Sequence, residues 1–93
     1  MDLMFEWDES KARINHRKHK ISFNEAKTIF YDPFLLTFSD TDHSGNESRF
    51  VNIGMSIKTR TLLVVHTERN ETIRIISCRK ATKSEQRTYD ARI

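Results

Sequence analysis

Apolar residues recur with two different periods along the chain, and the change of period separates predicted strands from predicted helices. Over residues 1–7, apolar and polar side chains alternate loosely, which predicts a short first strand. Asp8 then has the character of an N-cap residue, and a strongly basic helix is predicted from Glu9 to about His19. The chain therefore opens with a strand followed by a helix.

A second helix is predicted after residue 21. The segment Ser22-Phe-Asn-Glu25 has the pattern of a capping box, in which the two end side chains satisfy backbone donors of the first helical turn. Apolar residues follow at helical spacing as far as Phe30, and Pro33 ends the helix.

The remainder of the chain predicts four strands and a final helix. An exposed loop over Ser39–Ser48 separates the first of these strands from the other three, which short connections join as a meander. The final helix is predicted from Ala81 to about Ala91, with Thr82 as its cap and Glu85 at the box position. The strands are predicted at Phe34–Phe38, Arg49–Ser56, Thr61–Glu68 and Thr72–Arg79.

This order of elements predicts an α+β domain with a mostly antiparallel sheet, two N-terminal helices and one C-terminal helix. The chain has 93 residues, which is enough for one small hydrophobic core, so we expect a single domain over residues 1–93.

Composition excludes several classes of protein. The chain is 37% hydrophobic with 10% aromatic residues, which is enough to anchor a core and too much for a disordered chain. Its longest apolar run, Leu62–Val65, is far too short to span a bilayer, so no membrane partner is expected. Cys78 is the single cysteine, which excludes an internal disulfide and favours the reducing cytoplasm.

The net charge of +3 hides two basic segments. Residues 11–27 hold six basic residues and one acidic residue, and residues 51–93 hold nine basic and four acidic residues, so each segment has a net charge of +5. Clustered Lys and Arg favour a nucleic-acid partner, although the same runs also occur on solvated helix faces.

The last two predicted strands form a hairpin that could hold a phosphate. A symmetric turn around Arg69 and Asn70 would place Arg60 directly opposite Arg79, and two cations in that position favour an anion between them. Alternatively, one arginine points to solvent or pairs with Glu85 of the last helix. An odd turn length would remove the pairing altogether.

The same hairpin carries two candidate acid–base groups. His66 titrates near neutral pH and could take a proton from a ribose 2′-hydroxyl or return one to a leaving 5′-oxygen. Glu68 shares its predicted face and could do the same work or orient the imidazole. A histidine on a strand is also commonly a half-buried structural residue, and that alternative stays open.

Neither a metal site nor a cofactor is expected. His16 and His19 lie three residues apart on the predicted basic helix, but spacing fixes no third ligand and the neighbouring cations repel a metal ion. Two glycines in the chain are too few for a glycine-rich phosphate loop.

The ordered set of motifs closely resembles the BrnT family of bacterial toxins, nearly from end to end. Lys20 stands where the family favours glycine, and Cys78 where alanine is expected. The motifs that carry the resemblance are Trp7-Asp8, Lys11, Asn15, Lys18-His19, Ile21-Ser22-Phe23, Asp32-Pro33, Ile53-Gly54, Arg74-Ile75-Ile76-Ser77, Arg79, Ala81, Glu85 and Tyr89.

The resemblance implies a RelE-like toxin fold and ribonuclease activity that arrests growth. It also implies a cognate BrnA antitoxin, a ribbon-helix-helix protein, and contact with operator DNA only through the toxin–antitoxin complex. The residue types of the chain are compatible with this activity. A nuclease without a metal needs a base, an acid and cations that stabilise the phosphorane, and this chain has all three kinds of group.

The resulting hypothesis is a metal-independent ribonuclease with His66 and Glu68 as acid–base groups and Arg79, together with Arg60, as phosphate ligands. Two alternatives remain: a non-catalytic subunit of a DNA-bound repressor complex, and a basic RNA-binding domain without a partner. Further contacts to the RNA backbone are expected from Lys18, His19, Arg69, Arg74 and Lys83.

Overall fold

The computed structural model describes residues 2–40 and 48–91, and it confirms the α+β class. Most of the loop predicted over Ser39–Ser48 lies outside the described residues. The elements in chain order are β1 (Met4–Glu6), α1 (Glu9–His19), α2 (Phe23–Ala26), a 3₁₀ helix (Lys27–Tyr31), β2 (Leu36–Ser39), β3 (Arg49–Met55), β4 (Thr61–Arg69), β5 (Thr72–Lys80) and α3 (Lys83–Asp90).

The three predicted N-cap side chains all bind backbone donors, but the predicted capping box of Ser22 and Glu25 is only half formed, because the Glu25 carboxylate binds Ser56 and Arg60 instead. The side chain of Asp8 accepts a hydrogen bond from the backbone N of Lys11 at 3.1 Å, and Ser22 does the same for Glu25 at 3.0 Å. At the last helix, Thr82 and Glu85 make a complete capping box. These local bonds satisfy donors that the first helical turn leaves free, which is why the helix starts could be located from sequence.

The sheet has five strands in the order β1-β5-β4-β3-β2, and it is mixed rather than mostly antiparallel as predicted. β1 pairs in parallel with β5, whereas the other neighbouring pairs are antiparallel. The prediction is corrected because alternation shows that a segment is a strand but contains no information about which strand it joins or in which direction.

The second helix also differs from its prediction. Its α-helical part is only Phe23–Ala26, and the chain continues as the 3₁₀ helix. The hydroxyl of Thr28 donates to the carbonyl oxygen of Glu25 at 2.6 Å, an acceptor that a continuing α-helix would offer to the backbone of Ile29. The tighter turn brings Ile29 against β3, where a Cβ on Gly54 would lie 3.0 Å from that of Ile29.

The predicted register of the last hairpin is wrong. Asn70 and Glu71 are the two turn residues, both with positive φ (50° and 68°), so Arg69 pairs with Thr72. The register then shifts at Val65/His66, where Ile76 is an extra residue on β5. Arg79 therefore lies opposite Leu63 and not opposite Arg60.

Residues paired across the strands share a face, so the register divides the sheet into two faces. On the covered face, α1, α2 and the 3₁₀ helix pack on the sheet, and the core there consists of Ile21, Phe23, Ala26, Ile29, Leu62, Val64, Ile75 and Cys78. On the other face, called the open face below, α3 lies near one end, where Arg79 joins Glu85. Residues of the open face include Phe38, Arg49, Val51, Leu63, Val65, Thr67, Arg74, Ser77 and Arg79.

Candidate nucleic-acid interface

Three arginines of the open face come from two strands. Arg49 of β3 and Arg74 of β5 both pair with Thr67 of β4, so the three residues form one row across the sheet. Arg79 lies five residues after Arg74, and strict alternation would put it on the opposite face. The bulge at Ile76 reverses the alternation, so Arg74 and Arg79 project from the same face, roughly 15 Å apart along the strand.

Two of these arginines are held by carboxylates at partly exposed positions. Nη1 of Arg74 donates to Oε2 of Glu6 at 3.1 Å. Arg79 makes a two-pronged contact with Glu85, from Nη1 to Oε1 at 2.8 Å and from Nη2 to Oε2 at 2.9 Å. The hydrogen bond from Arg79 lowers the pKa of Glu85 to about 2. Within the described part of the chain, the Nε of Arg49 is buried without a hydrogen-bond partner.

A basic groove adjoins the open face at the edge of β5. The groove has a volume of about 250 Å³ and lies between α1 and β5. Ser77 lines the groove and also belongs to the open face, so the two surfaces are continuous. The groove is lined by Lys11, Ile14, Asn15, Lys18, His19, Ile76 and Ser77, which brings two predicted RNA ligands, Lys18 and His19, next to the sheet.

Asn15 fixes α1 against this edge. Its side-chain amide accepts a hydrogen bond from the backbone N of Cys78 at 3.0 Å and donates to the carbonyl oxygen of the same residue at 3.0 Å, as a neighbouring strand would. Cys78 itself is buried, and desolvation raises the pKa of its thiol to about 11, as expected for an inert cysteine. The basic residues of α1 therefore project from a rigid support.

His66 lies on the covered face, inside a chain of hydrogen bonds. Nδ2 of Asn52 lies 2.7 Å from Nδ1 of His66, and it also donates to the carbonyl oxygen of Val64 at 3.0 Å. Because an amide nitrogen can only donate, Nδ1 is the acceptor and Nε2 carries the proton. Nε2 then donates to Oε2 of Glu68 at 3.2 Å.

The surroundings of His66 keep it neutral. Its ring stacks on Phe50 at 5.0 Å and meets the edge of Phe30 at 5.2 Å, and its side chain is 3% exposed. Burial lowers the pKa of His66 below the ordinary 6.5, although the hydrogen bond to Glu68 acts in the opposite direction. Glu68, by contrast, is 54% exposed, so the buried imidazole is hydrogen-bonded to a carboxylate that is in contact with solvent.

Arg60 is bound to a buried carboxylate. Its Nη2 and Nε both donate to Glu25, the latter at 3.0 Å, and the hydroxyl of Ser56 donates to the same carboxylate at 2.7 Å. The hydrogen bond from Arg60 lowers the pKa of Glu25, so the pair is ionised. The prediction that Arg60 and Arg79 bind a phosphate between them is therefore wrong, because the Arg60 guanidinium binds Glu25.

All but two of the sequence-predicted site residues fall into three groups. His66 and Glu68 lie together on the covered face, and Arg60 is tied to Glu25 at the other end of the sheet. Arg74 and Arg79 share the open face, and Lys18 and His19 lie in the adjoining groove. Arg69 at the end of β4 and Lys83 at the start of α3 are exposed.

The three proposed catalytic residues do not meet, because His66 and Glu68 project from one face and Arg79 from the other.

Sequence reasoning missed two polar residues of these groups. Arg49 was predicted only as the first residue of a strand, and Asn52 was not singled out, although Asn52 is completely buried. The β3 sequence Arg-Phe-Val-Asn-Ile contained a usable indication, because its alternation puts Arg49 and Val51 on one face and Asn52 on the other. An asparagine on the apolar side of a strand predicts a buried partner.

Two further observations concern the described residues as a whole. Among residues 2–40 and 48–91, no three His, Cys, Asp or Glu side chains come together in a way that could hold a metal ion. None of the helices in those ranges is long and apolar enough to cross a membrane.

The fold is similar to that of a bacterial toxin of known structure. The structure matches the 1.1 Å crystal structure of the Brucella abortus ribonuclease toxin BrnT with a TM-score of 0.68, over 88% of this chain and 100% of that one, at 21% sequence identity. No curated protein sequence matches the chain significantly.

Residues 7–85 match the family model described as the ribonuclease toxin BrnT of type II toxin–antitoxin systems. The chain therefore belongs to the BrnT family of ribonuclease toxins, which confirms the family to which its motifs pointed.

Proposed function

We propose that this protein is a metal-independent endoribonuclease that binds RNA along the open face and the α1 groove and acts in the cytoplasm. The observation that carries the proposal is the row of arginines on a sheet face that continues into a groove lined by Lys11, Lys18 and His19. A single-stranded RNA backbone needs a track of cations of this kind, and the half-buried Val51 and Val65 supply apolar contacts for bases.

Arg79 is the proposed ligand of the reacting phosphate. When the ribose 2′-hydroxyl attacks, negative charge builds on the phosphorane, and a planar guanidinium can bind two of its oxygens at once. In the free protein Glu85 occupies these donors. Arg79 is 37% exposed at its side chain, so a phosphate can reach it and replace the carboxylate.

Glu68 lies on the other face and five residues along β4 from the partner of Arg79, so it is out of reach of the phosphate that Arg79 is proposed to bind. Its proposed role is instead to contact a ribose hydroxyl of another nucleotide at the hairpin tip, with His66 as its positioning residue. The neutral imidazole donates to Glu68 and is itself held by Asn52, so the carboxylate is oriented while it stays open to solvent. Glu68 directly follows Thr67, which belongs to the row that contains Arg74. An RNA strand that crosses the hairpin tip can therefore touch both faces.

RNA cleavage by purified variants tests these roles. Arg79→Ala should lower the cleavage rate by about 10²–10³-fold, the usual cost of losing a donor to a developing charge. Arg79→Lys should recover only part of it, because an ammonium is a point charge. Arg87→Ala is the matched control, since Arg87 is exposed in the last turn of α3.

Several outcomes would contradict the proposal. A folded Arg79→Ala protein that cuts RNA within about threefold of the unaltered protein would remove Arg79 from the site, because the loss of a donor costs far more. A Glu68→Gln protein with unchanged RNA affinity and cleavage would remove the hairpin tip from the RNA-binding surface. Activity lost in chelator and restored by magnesium would refute metal independence, as would products without 2′,3′-cyclic phosphate ends. Intact RNA after incubation with the unaltered chain would favour a non-catalytic subunit.

The proposed partner is a BrnA-type ribbon-helix-helix antitoxin, and operator DNA is bound only through the complex. The support is membership of a family of type II toxins, in which a protein inhibits the toxin. The two segments of +5 net charge supply a field that attracts an acidic partner.

A further inference from the structure

An apolar groove of about 460 Å³ lies at the end of the sheet away from the hairpin turn. It is formed between the 3₁₀ helix and the end of β3, and it is lined by Thr28, Tyr31, Asp32, Met55, Ser56 and Ile57. Ile57 is 78% exposed and Tyr31 is 61% exposed, and these are among the most exposed large hydrophobic residues in the described ranges. An exposed apolar patch that forms a groove is typical of a protein interface.

The walls of this groove are fixed by hydrogen bonds. The backbone N of Ile57 donates to the Thr28 hydroxyl at 3.0 Å, which joins the β3–β4 turn to the 3₁₀ helix. Asp32 accepts from the backbone N of Met55 at 2.8 Å and from the hydroxyl of Tyr89 at 2.6 Å. A preformed groove binds a partner at a low cost in conformational entropy.

The charges around the groove favour an acidic partner. Lys27 precedes Thr28 and Lys58 follows Ile57, so each wall of the groove has a lysine next to it in the sequence. The one carboxylate in the groove, Asp32, also accepts from the backbone N of Phe34 at 2.9 Å, so its oxygens are already engaged inside the protein. These contacts suit a segment that inserts an apolar side chain and presents carboxylates to the two lysines.

We propose that this groove is the anchor site of the antitoxin, for an apolar side chain on an acidic amphipathic segment of that protein. The inference rests on the proposed BrnA-type partner and assigns the place where it docks. Met55, which lines the groove, pairs with Thr61, whereas Arg49 and Arg74 lie at the opposite end of the sheet near the hairpin turn. The anchor is therefore separate from Arg49 and Arg74, whereas Arg79, which pairs with Leu63, lies nearer to it on the open face.

A matched pair of substitutions tests the location. Ile57 and Ile14 are both exposed isoleucines, 78% and 58% respectively, and each lines a different groove. Ile57→Asp should weaken binding of the ribbon-helix-helix protein encoded beside the toxin gene by at least about 30-fold, the effect of losing a hot-spot side chain. Ile14→Asp should leave that affinity within about threefold, since a residue outside the proposed interface contributes little to binding.

The measurements are affinity by titration calorimetry, rescue of growth on co-expression, and RNA cleavage by the free toxin. Ile57→Asp should cleave RNA at an unchanged rate, stay toxic and escape neutralisation. If Ile14→Asp breaks the complex and Ile57→Asp does not, the antitoxin docks on the basic groove and the proposal is wrong. Equal affinity for both variants overturns it as well.

Two other outcomes separate this inference from the function on which it rests. If free toxin elutes as a dimer that Ile57→Asp converts to a monomer, the occupant is a second copy of this chain and the proposal falls. If the unaltered toxin cleaves RNA but does not bind the neighbouring gene product, the proposed partner is wrong, and this docking site falls with it while the nuclease assignment stands.

Discussion

Both faces of the sheet carry arginine–carboxylate pairs, and the two sets differ in how far water reaches them. On the covered face, Glu25 is 2% exposed at its side chain where it meets Arg60. On the open face, the carboxylates opposite Arg79 and Arg74 are 24% and 41% exposed. The comparison shows that the same pair of residue types can be a structural tie or an exchangeable contact, depending on solvent access.

Burial also determines what each pair costs to break. A buried carboxylate that loses its cation keeps its desolvation penalty, whereas a partly exposed one recovers water. In the proposed site, a phosphate displaces Glu85 or Glu6 from its arginine, whereas the same exchange at Glu25 would leave a buried carboxylate without a cation. The comparison supports the proposal that RNA binds to the open face while the pair on the covered face stabilises the fold, and three substitutions test it.

Breaking the buried pair should have the largest effect. We expect Arg60→Ala to lower the free energy of unfolding by about 3–5 kcal/mol, because Glu25 is left buried without a cation. Denaturation in urea measures the change, with Arg87→Ala as the exposed control. Cleavage per folded molecule should stay the same. A stable Arg60→Ala protein that cuts RNA poorly would restore Arg60 to the phosphate site that the sequence suggested.

The buried histidine should make stability depend on pH. Burial lowers the pKa of His66 in the folded state below 6.5, so the unfolded chain binds more protons and stability decreases as the pH falls below about 6.5. His66→Gln should flatten this dependence between pH 5 and 7, while His16→Gln, at an exposed position of α1, should leave it unchanged. An unaltered slope in His66→Gln would show that other groups produce it.

The smallest effect is expected where a carboxylate is removed from the open face. Glu6→Gln frees Arg74 from a partly exposed ion pair, so the free energy of unfolding should change by less than about 1 kcal/mol. RNA affinity should rise severalfold in a filter-binding assay at low salt, since the guanidinium no longer has a competing anion. Glu71→Gln at the exposed hairpin turn serves as the control. Weaker RNA binding by Glu6→Gln would indicate that the carboxylate helps to position Arg74.

Local chemistry accounts for the parts of the fold that could be predicted from sequence. The capping bonds of Asp8, Ser22 and Thr82 lie within three residues of their partners, so the helix starts followed from short motifs. The pairing of Arg79 with Glu85, one of the alternatives considered for that arginine, is similarly close, at a separation of six residues. Neighbours along the chain meet in almost any arrangement of the remaining elements.

The site was less predictable because it depends on register. Placing the turn one residue too early, and missing the extra residue at Ile76, moved Arg79 to the wrong face and opposite the wrong partner. No residue type marks a bulge of this kind, because Ile76 suits a regular strand equally well. The acid–base pair of His66 and Glu68 escaped this error, since both lie on β4 two residues apart, on the turn side of the bulge.

The class of elements, the helix starts and the basic character of two segments could be predicted from the sequence, because each of these depends on neighbouring residues or on composition. The family followed from the resemblance of an ordered set of motifs. Long-range contacts were needed to show that β1 joins β5 in parallel, that Arg60 binds Glu25, and that Arg49, Arg74 and Arg79 share one face. Those features depend on contacts between residues far apart in the chain. Their energies are set by burial, which no local pattern specifies.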